Sequence, residues 1–122
     1  MNYIEELGQK AQNAKKSLAT ASTGQKNEIL RCIADRLLQK QEQILAENEK
    51  DIANARENGI SETMVDRLRL TPERIRGIAD ACIQLINLED PLGQVIEGST
   101  RPNGMKITKI RVPMGVVGII YE

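Results

Sequence analysis

The chain has 122 residues, 40% hydrophobic and 28% charged, and its 17 basic residues balance 17 acidic ones. That composition suits a folded domain, and without a basic excess there is no electrostatic case for nucleic acid or an anionic membrane surface as partner. Histidine is absent, and Cys32 and Cys82 stand far apart with no CxxC spacing, which excludes the usual zinc frameworks and every histidine-based triad or general base.

With two Tyr and no Phe or Trp, the core must be aliphatic, and the stacking platforms of single-strand binders are missing. The opening MNYIEELGQK is acidic and has no apolar run, unlike a secretory signal. No stretch approaches the ~18 apolar residues of a membrane span. A soluble, reducing, cytoplasmic setting is the expectation.

In chain order, Ile4, Leu7, Ala11, Ala14 and Leu18 recur at three- and four-residue steps and predict a first amphipathic helix. The small, polar stretch 19–24 breaks it, and Ser22 or Thr23 can cap a second helix that buries Ile29, Leu30, Ile33 and Leu37. A turn-rich point at 40–42 divides off a third helix with Ile44, Leu45, Ile52 and Ala55 inside, ended by Asn58-Gly59. Ser61-Glu62 opens a short helix to about Leu68. Thr71-Pro72-Glu73 starts another, with a cap, a proline at the first helical position and an acid at the positive dipole end. Its buried face is Ile75, Ile78, Ala79, Cys82, Leu85 and Ile86, and Asp90-Pro91-Leu92-Gly93 stops it.

Beyond Gly93 the apolar period becomes two. Residues 94–100 and 105–112 read as strands of a hairpin around Arg101-Pro102-Asn103-Gly104. The inward phase slips near Thr108-Lys109, which suggests a bulge or a strand that crosses from one environment to another. Pro113 prevents continuous central pairing. The run 114–122 (MGVVGIIYE) is nearly all β-branched and apolar, as in a parallel strand buried on both faces. Such a strand has no partner within this chain and its backbone groups would go unsatisfied, so the expectation is of a chain cut short. The rival reading is a self-contained helical interaction module that binds a partner by strand addition.

Five stretches together carry a resemblance: Ser22-Thr23-Gly24-Gln25-Lys26-Asn27, Ala46-Glu47-Asn48-Glu49-Lys50-Asp51, residues 66–75 (DRLRLTPERI), the hairpin turn 101–104, and residues 111–122. In these, and in their order, the chain resembles the glutamyl phosphate reductases (glutamate 5-semialdehyde dehydrogenases) of the aldehyde dehydrogenase superfamily. The resemblance implies an α/β parent enzyme. This chain would be its mostly α-helical amino-terminal part, with residues 1–92 a helical portion of the cofactor-binding domain, 93–112 a β-hairpin and 113–122 the first strand of the dinucleotide-binding parallel sheet. It further implies NADP(H)-dependent reduction of glutamyl 5-phosphate to glutamate 5-semialdehyde in proline biosynthesis, by a homo-oligomer. A cysteine thiolate would displace phosphate to give a thioester that hydride reduces. The family's nucleophile lies beyond residue 122, so no catalytic residue is assigned and the chain alone is expected to be inactive.

By the same resemblance the end of the last strand, Ile120, Tyr121 and Glu122, borders the cofactor. No metal ligand is assigned. The Gly115–Gly118 spacing does not make a phosphate loop, because both glycines lie inside an apolar strand and no lysine follows. Cys82, and Cys32 beside Ile29 and Ile33, read as inert core thiols. The charge runs 47–51 and 67–76 read as solvated helix faces. Arg101 and Arg111 read as surface or subunit contacts, and the hairpin as a candidate for subunit association.

Overall fold

A computed structural model describes residues 2–120 of the chain. In order, its elements are α1 (Tyr3–Ala19), α2 (Thr23–Gln39), α3 (Gln41–Glu57), α4 (Glu62–Leu68), α5 (Pro72–Ile86), β1 (Val95–Thr100) and β2 (Lys106–Ile110). They fall into two compact units, one running to Thr23 and resuming at Glu89, the other spanning Gly24–Leu88.

The Gly24–Leu88 unit holds the core. Ile52, Val65 and Ile75 are each 1% exposed, joined by Ala34 and Ala79, and α3 packs on both α4 and α5. Burying each such Ile or Val side chain contributes about 1.5–3 kcal/mol. The local signals are those that open and close helices. Thr71 caps α5 by accepting the Arg74 N–H at 3.2 Å, with Pro72 at the first helical position. Gly59, at φ 72°, ends α3 in the left-handed geometry. The turn between α2 and α3 falls at Lys40, as the composition of 40–42 suggests.

The faces were harder to place than the helices. In α2 only Ala34 is buried, with Leu30 and Leu37 half-buried beside it, while Ile29 and Ile33 are exposed. The covered stripe is therefore Leu30-Ala34-Leu37, about 100° round the wheel from Ile29-Ile33. In α5 the buried side is Ile75 and Ala79, with Cys82 and Ile86 half-buried; Ile78 and Leu85 are exposed. That helix ends at Ile86 with Asn87 as its C-cap, short of the Asp90 stop, because the Asn87 N–H already turns back to the Gln84 and Leu85 carbonyls.

The other unit contains α1 and the hairpin. A reciprocal capping box starts α1: the Asn2 side chain accepts the Glu5 N–H at 2.9 Å and the Glu5 carboxylate accepts the Asn2 N–H at 3.0 Å. The apolar stripe of α1 exists, yet the helix buries none of it. Every residue of β1 and β2 is exposed as well. The strands pair antiparallel, with Thr100 opposite Lys106 and Val95 opposite Ile110. Bonds from the Gly93 N–H to the Arg111 carbonyl and from the Arg111 N–H to the Gln94 carbonyl, both 3.0 Å, extend the ladder past the strand ends.

The structure fixes two details of the hairpin. The register shift lies between Val95 and Glu97, so the extra residue is Ile96 on β1 rather than a residue at 108–109 on β2. The turn is also not the mirror-image type with Asn103-Gly104 at its centre, since no residue other than glycine has positive φ. The Gly104 N–H instead closes on the Arg101 carbonyl at 2.8 Å, with Pro102 second in the turn and Gly104, at φ 87°, returning the chain to β2.

Candidate functional site

The candidate site is the apolar run after the hairpin. Residues 111–120 adopt no strand in this chain: a strand exists only through a partner, and among the described residues 112–120 exchange no backbone hydrogen bond. Met114 is 95% exposed and Ile120 fully exposed, and Val117 and Ile119 also face solvent. Gly115 has φ 104°, and a Cβ there would meet the end of the Lys15 side chain at 3.7 Å. Of the three cofactor-edge candidates, Ile120 is therefore an open apolar surface, while Tyr121 and Glu122 lie outside the described residues.

A separate depression of ≈ 570 Å³ in the helical unit is lined by Arg67, Arg69, Leu70, Arg74, Gly77, Ile78 and Ala81. Its arginines are largely committed to structure. The Arg74 guanidinium donates to the Asp66 carbonyl, to the Arg69 carbonyl at 2.5 Å and to the Asp66 carboxylate at 3.3 Å, and Arg69 reaches Glu49 at 3.5 Å. These contacts engage Arg69 and Arg74 at the α4–α5 junction.

Asn48 is the residue that sequence reasoning missed. Taken for part of a solvated charge run, it is 6% exposed; its Nδ2 donates to the Leu68 carbonyl at 3.0 Å and its Oδ1 accepts the Leu70 N–H at 2.7 Å. The side chain thus takes the place of a backbone ladder for the α4–α5 connection. A signal was present: Leu45, Asn48, Ile52 and Ala55 share the spacing of one helix face. The flanking Glu47, Glu49, Lys50 and Asp51 are exposed, as expected of the run.

Three ionisable groups near helix ends, Arg56, Glu62 and Glu73, are perturbed. Arg56 and Glu62 form a two-point pair at 2.9 and 3.0 Å; the hydrogen bond raises Arg56 and holds Glu62 below the ordinary carboxylate range. Glu73 is lowered by its own backbone N–H and by the Thr71 hydroxyl. Neither is a catalytic setting. Among the described residues no group of His, Cys, Asp and Glu could hold a metal ion. Cys82 is half-buried, but Cys32 is exposed, against the core reading. It lies about 160° from Ala34 around α2, away from the covered stripe. No helix among the described residues is long and apolar enough to cross a membrane.

No protein-family model matches the chain. Individual proteins do. Over 98% of its length it is 50% identical to a gamma-glutamyl phosphate reductase of Thermobifida fusca (strain YX), and over 100% it is 48% identical to one from Geobacillus sp. (strain WCH70). The chain is a homologue of part of the gamma-glutamyl phosphate reductases. It spans 28% and 30% of the length of those two curated relatives. Among solved structures, the gamma-glutamyl phosphate reductase of Thermotoga maritima superposes with a TM-score of 0.88 at 38% identity, covering 92% of this chain and 27% of that one. The Saccharomyces cerevisiae enzyme gives 0.81 at 25% identity, covering 93% and 29%. The mostly helical architecture with one antiparallel hairpin is thus similar to part of those solved gamma-glutamyl phosphate reductase structures.

Proposed function

We propose that this chain serves as the amino-terminal segment of an NADP(H)-dependent gamma-glutamyl phosphate reductase, a cytoplasmic homo-oligomer of proline biosynthesis that converts glutamyl 5-phosphate to glutamate 5-semialdehyde. The observation that carries the proposal is the near-complete match of this chain to under a third of each relative, taken with an apolar run at 114–120 that nothing covers. In this reading, further strands of the same enzyme flank that run on both edges and make it an interior strand of the cofactor-binding sheet.

Its residues fit one part of a nicotinamide cofactor. Ile119 and Ile120 are bare apolar surfaces suited to the flat face of a nucleotide, and Ile120, with Tyr121 and Glu122, would hold one wall of its site. Nothing in 113–120 supplies donors for its phosphates beyond backbone N–H groups. The cofactor brings hydride chemistry when bound. What this segment contributes is position: β1 and β2 set where 111–120 leaves the hairpin, and the run excludes water from the strand's neighbourhood. No residue described here acts as nucleophile or general base.

A chimera tests the proposal. Residues 1–122 replace the homologous segment of the Thermotoga maritima reductase, and glutamate semialdehyde- and phosphate-dependent reduction of NADP is measured in the reverse direction. Turnover by the chimera and none by the 122-residue chain is the expected result. A folded chimera without activity would refute the proposal.

A further inference from the structure

The chain has two Asn-Gly steps, Asn58-Gly59 and Asn103-Gly104. At such a step the glycine nitrogen can attack the preceding side-chain amide carbon, because no Cβ shields it. The structure treats the two differently.

Asn58 is turned back along its own helix. Its Nδ2 donates to the Asn54 carbonyl at 2.7 Å, and its backbone N–H donates to that same carbonyl at 3.0 Å. The side-chain amide is thus anchored one turn back in the helix, and the Gly59 N–H is bonded to the Arg56 carbonyl at 3.0 Å. Freeing these groups means opening the end of α3, the helix that carries the buried Asn48 and Ile52.

Asn103 points forward. Its side chain accepts the Met105 N–H at 3.1 Å; an N–H only donates, so the carbonyl oxygen is the engaged atom. That bond draws electron density from Cγ and anchors the side chain on the residue after Gly104. The Gly104 N–H is bonded to the Arg101 carbonyl at 2.8 Å and must be released. The hairpin buries no residue, so local opening there costs little compared with a helix end in a packed unit.

We propose that Asn103 is a site of spontaneous covalent modification, deamidating through a succinimide while Asn58 is spared. The Gly104 nitrogen, its proton passed to solvent base, bonds to Cγ of Asn103. The Cγ–Nδ2 bond breaks and ammonia leaves, taking a proton from water. A water molecule then adds across either carbon–nitrogen bond of the imide. Opening at Cγ gives aspartate, and opening at the α-carbonyl gives isoaspartate, whose main chain runs through Cβ and Cγ. No oxidant or reductant is consumed. Isoaspartate lengthens the loop inside the Arg101 N–H to Met105 carbonyl bond of 2.8 Å, which loosens strand pairing beside the turn.

The 122-residue chain is incubated at mildly alkaline pH, digested, and each asparagine scored by mass spectrometry that separates aspartate from isoaspartate. Acid at 103 is expected to form about tenfold faster than at 58, a ratio equivalent to about 1.4 kcal/mol, and to rise with pH. In denaturant the two rates should converge to within about twofold, since the folded contacts are gone. Equal rates in the native protein, or a ratio that denaturant leaves unchanged, would overturn the inference.

Discussion

Replacing Asn48 with alanine removes two hydrogen bonds at once, to the Leu68 carbonyl at 3.0 Å and from the Leu70 N–H at 2.7 Å. Both backbone groups lose their partner in a part-buried setting, and each orphaned group costs about 1–3 kcal/mol. A shallow depression lined by Asn48 and Leu70 admits water, which recovers part of that. The net loss should be about 2–4 kcal/mol, a fall in Tm of about 4–8 °C for each kcal/mol in a unit of this size. Urea denaturation followed by circular dichroism measures it, with the exposed Glu49→Ala as control. Asn48→Asp sharpens the test. A carboxylate accepts the Leu70 N–H but repels the Leu68 carbonyl, so the folded state favours the protonated acid and raises its pKa. The stability of that variant is then best at low pH and falls as pH rises through the raised value. A cost for Asn48→Ala below about 0.5 kcal/mol, the range of ordinary surface changes, would refute the idea that this side chain ties α3 to the α4–α5 connection.

Ile52→Ala, at a site 1% exposed, should cost about 2–5 kcal/mol, whereas Ile107→Ala on the exposed strand should change the same denaturation midpoint little in the 122-residue chain. The Glu62 carboxyl should titrate below its ordinary range chiefly because of the Arg56 hydrogen bond. The pair's small contribution is present above the ordinary carboxylate range and is lost as pH falls through the depressed value. A carboxyl NMR titration of Glu62 that does not move upward in Arg56→Gln would contradict this.

Much of the helix architecture was legible because its signals are local. Thr71-Pro72-Glu73, Asn58-Gly59 and Ser61-Glu62 each act within one turn, and all three mark real helix boundaries. The hairpin was legible for the same reason, through the change of period at Gly93 and the turn at 101–104. Burial was legible only where a neighbour exists to cover the face. Ile52, Ile75 and Ala79 pack because α3 meets α4 and α5, whereas the equally regular stripe of α1 is bare. The place of Asn48 on the buried face could be read from its spacing, but its clamping role could not, because that depends on two backbone groups about twenty residues away, Leu68 and Leu70. The Cys32 reading failed on helix phase: Ile29, Leu30, Ile33 and Leu37 span about 100° of the wheel, and Cys32 lies about 60° outside that arc.

By itself, then, the order of residues determined where helices start and stop, where the chain turns to a two-residue period, and which family of reductases it is kin to. Each of these is written in contiguous residues. Tertiary structure alone decided which side of α2 is covered, that Asn48 is an interior clamp, and that Ile96 is the bulged residue. Those depend on elements brought together across the chain, and hydrophobic burial and hydrogen-bond satisfaction are properties of the assembled neighbourhood rather than of any segment.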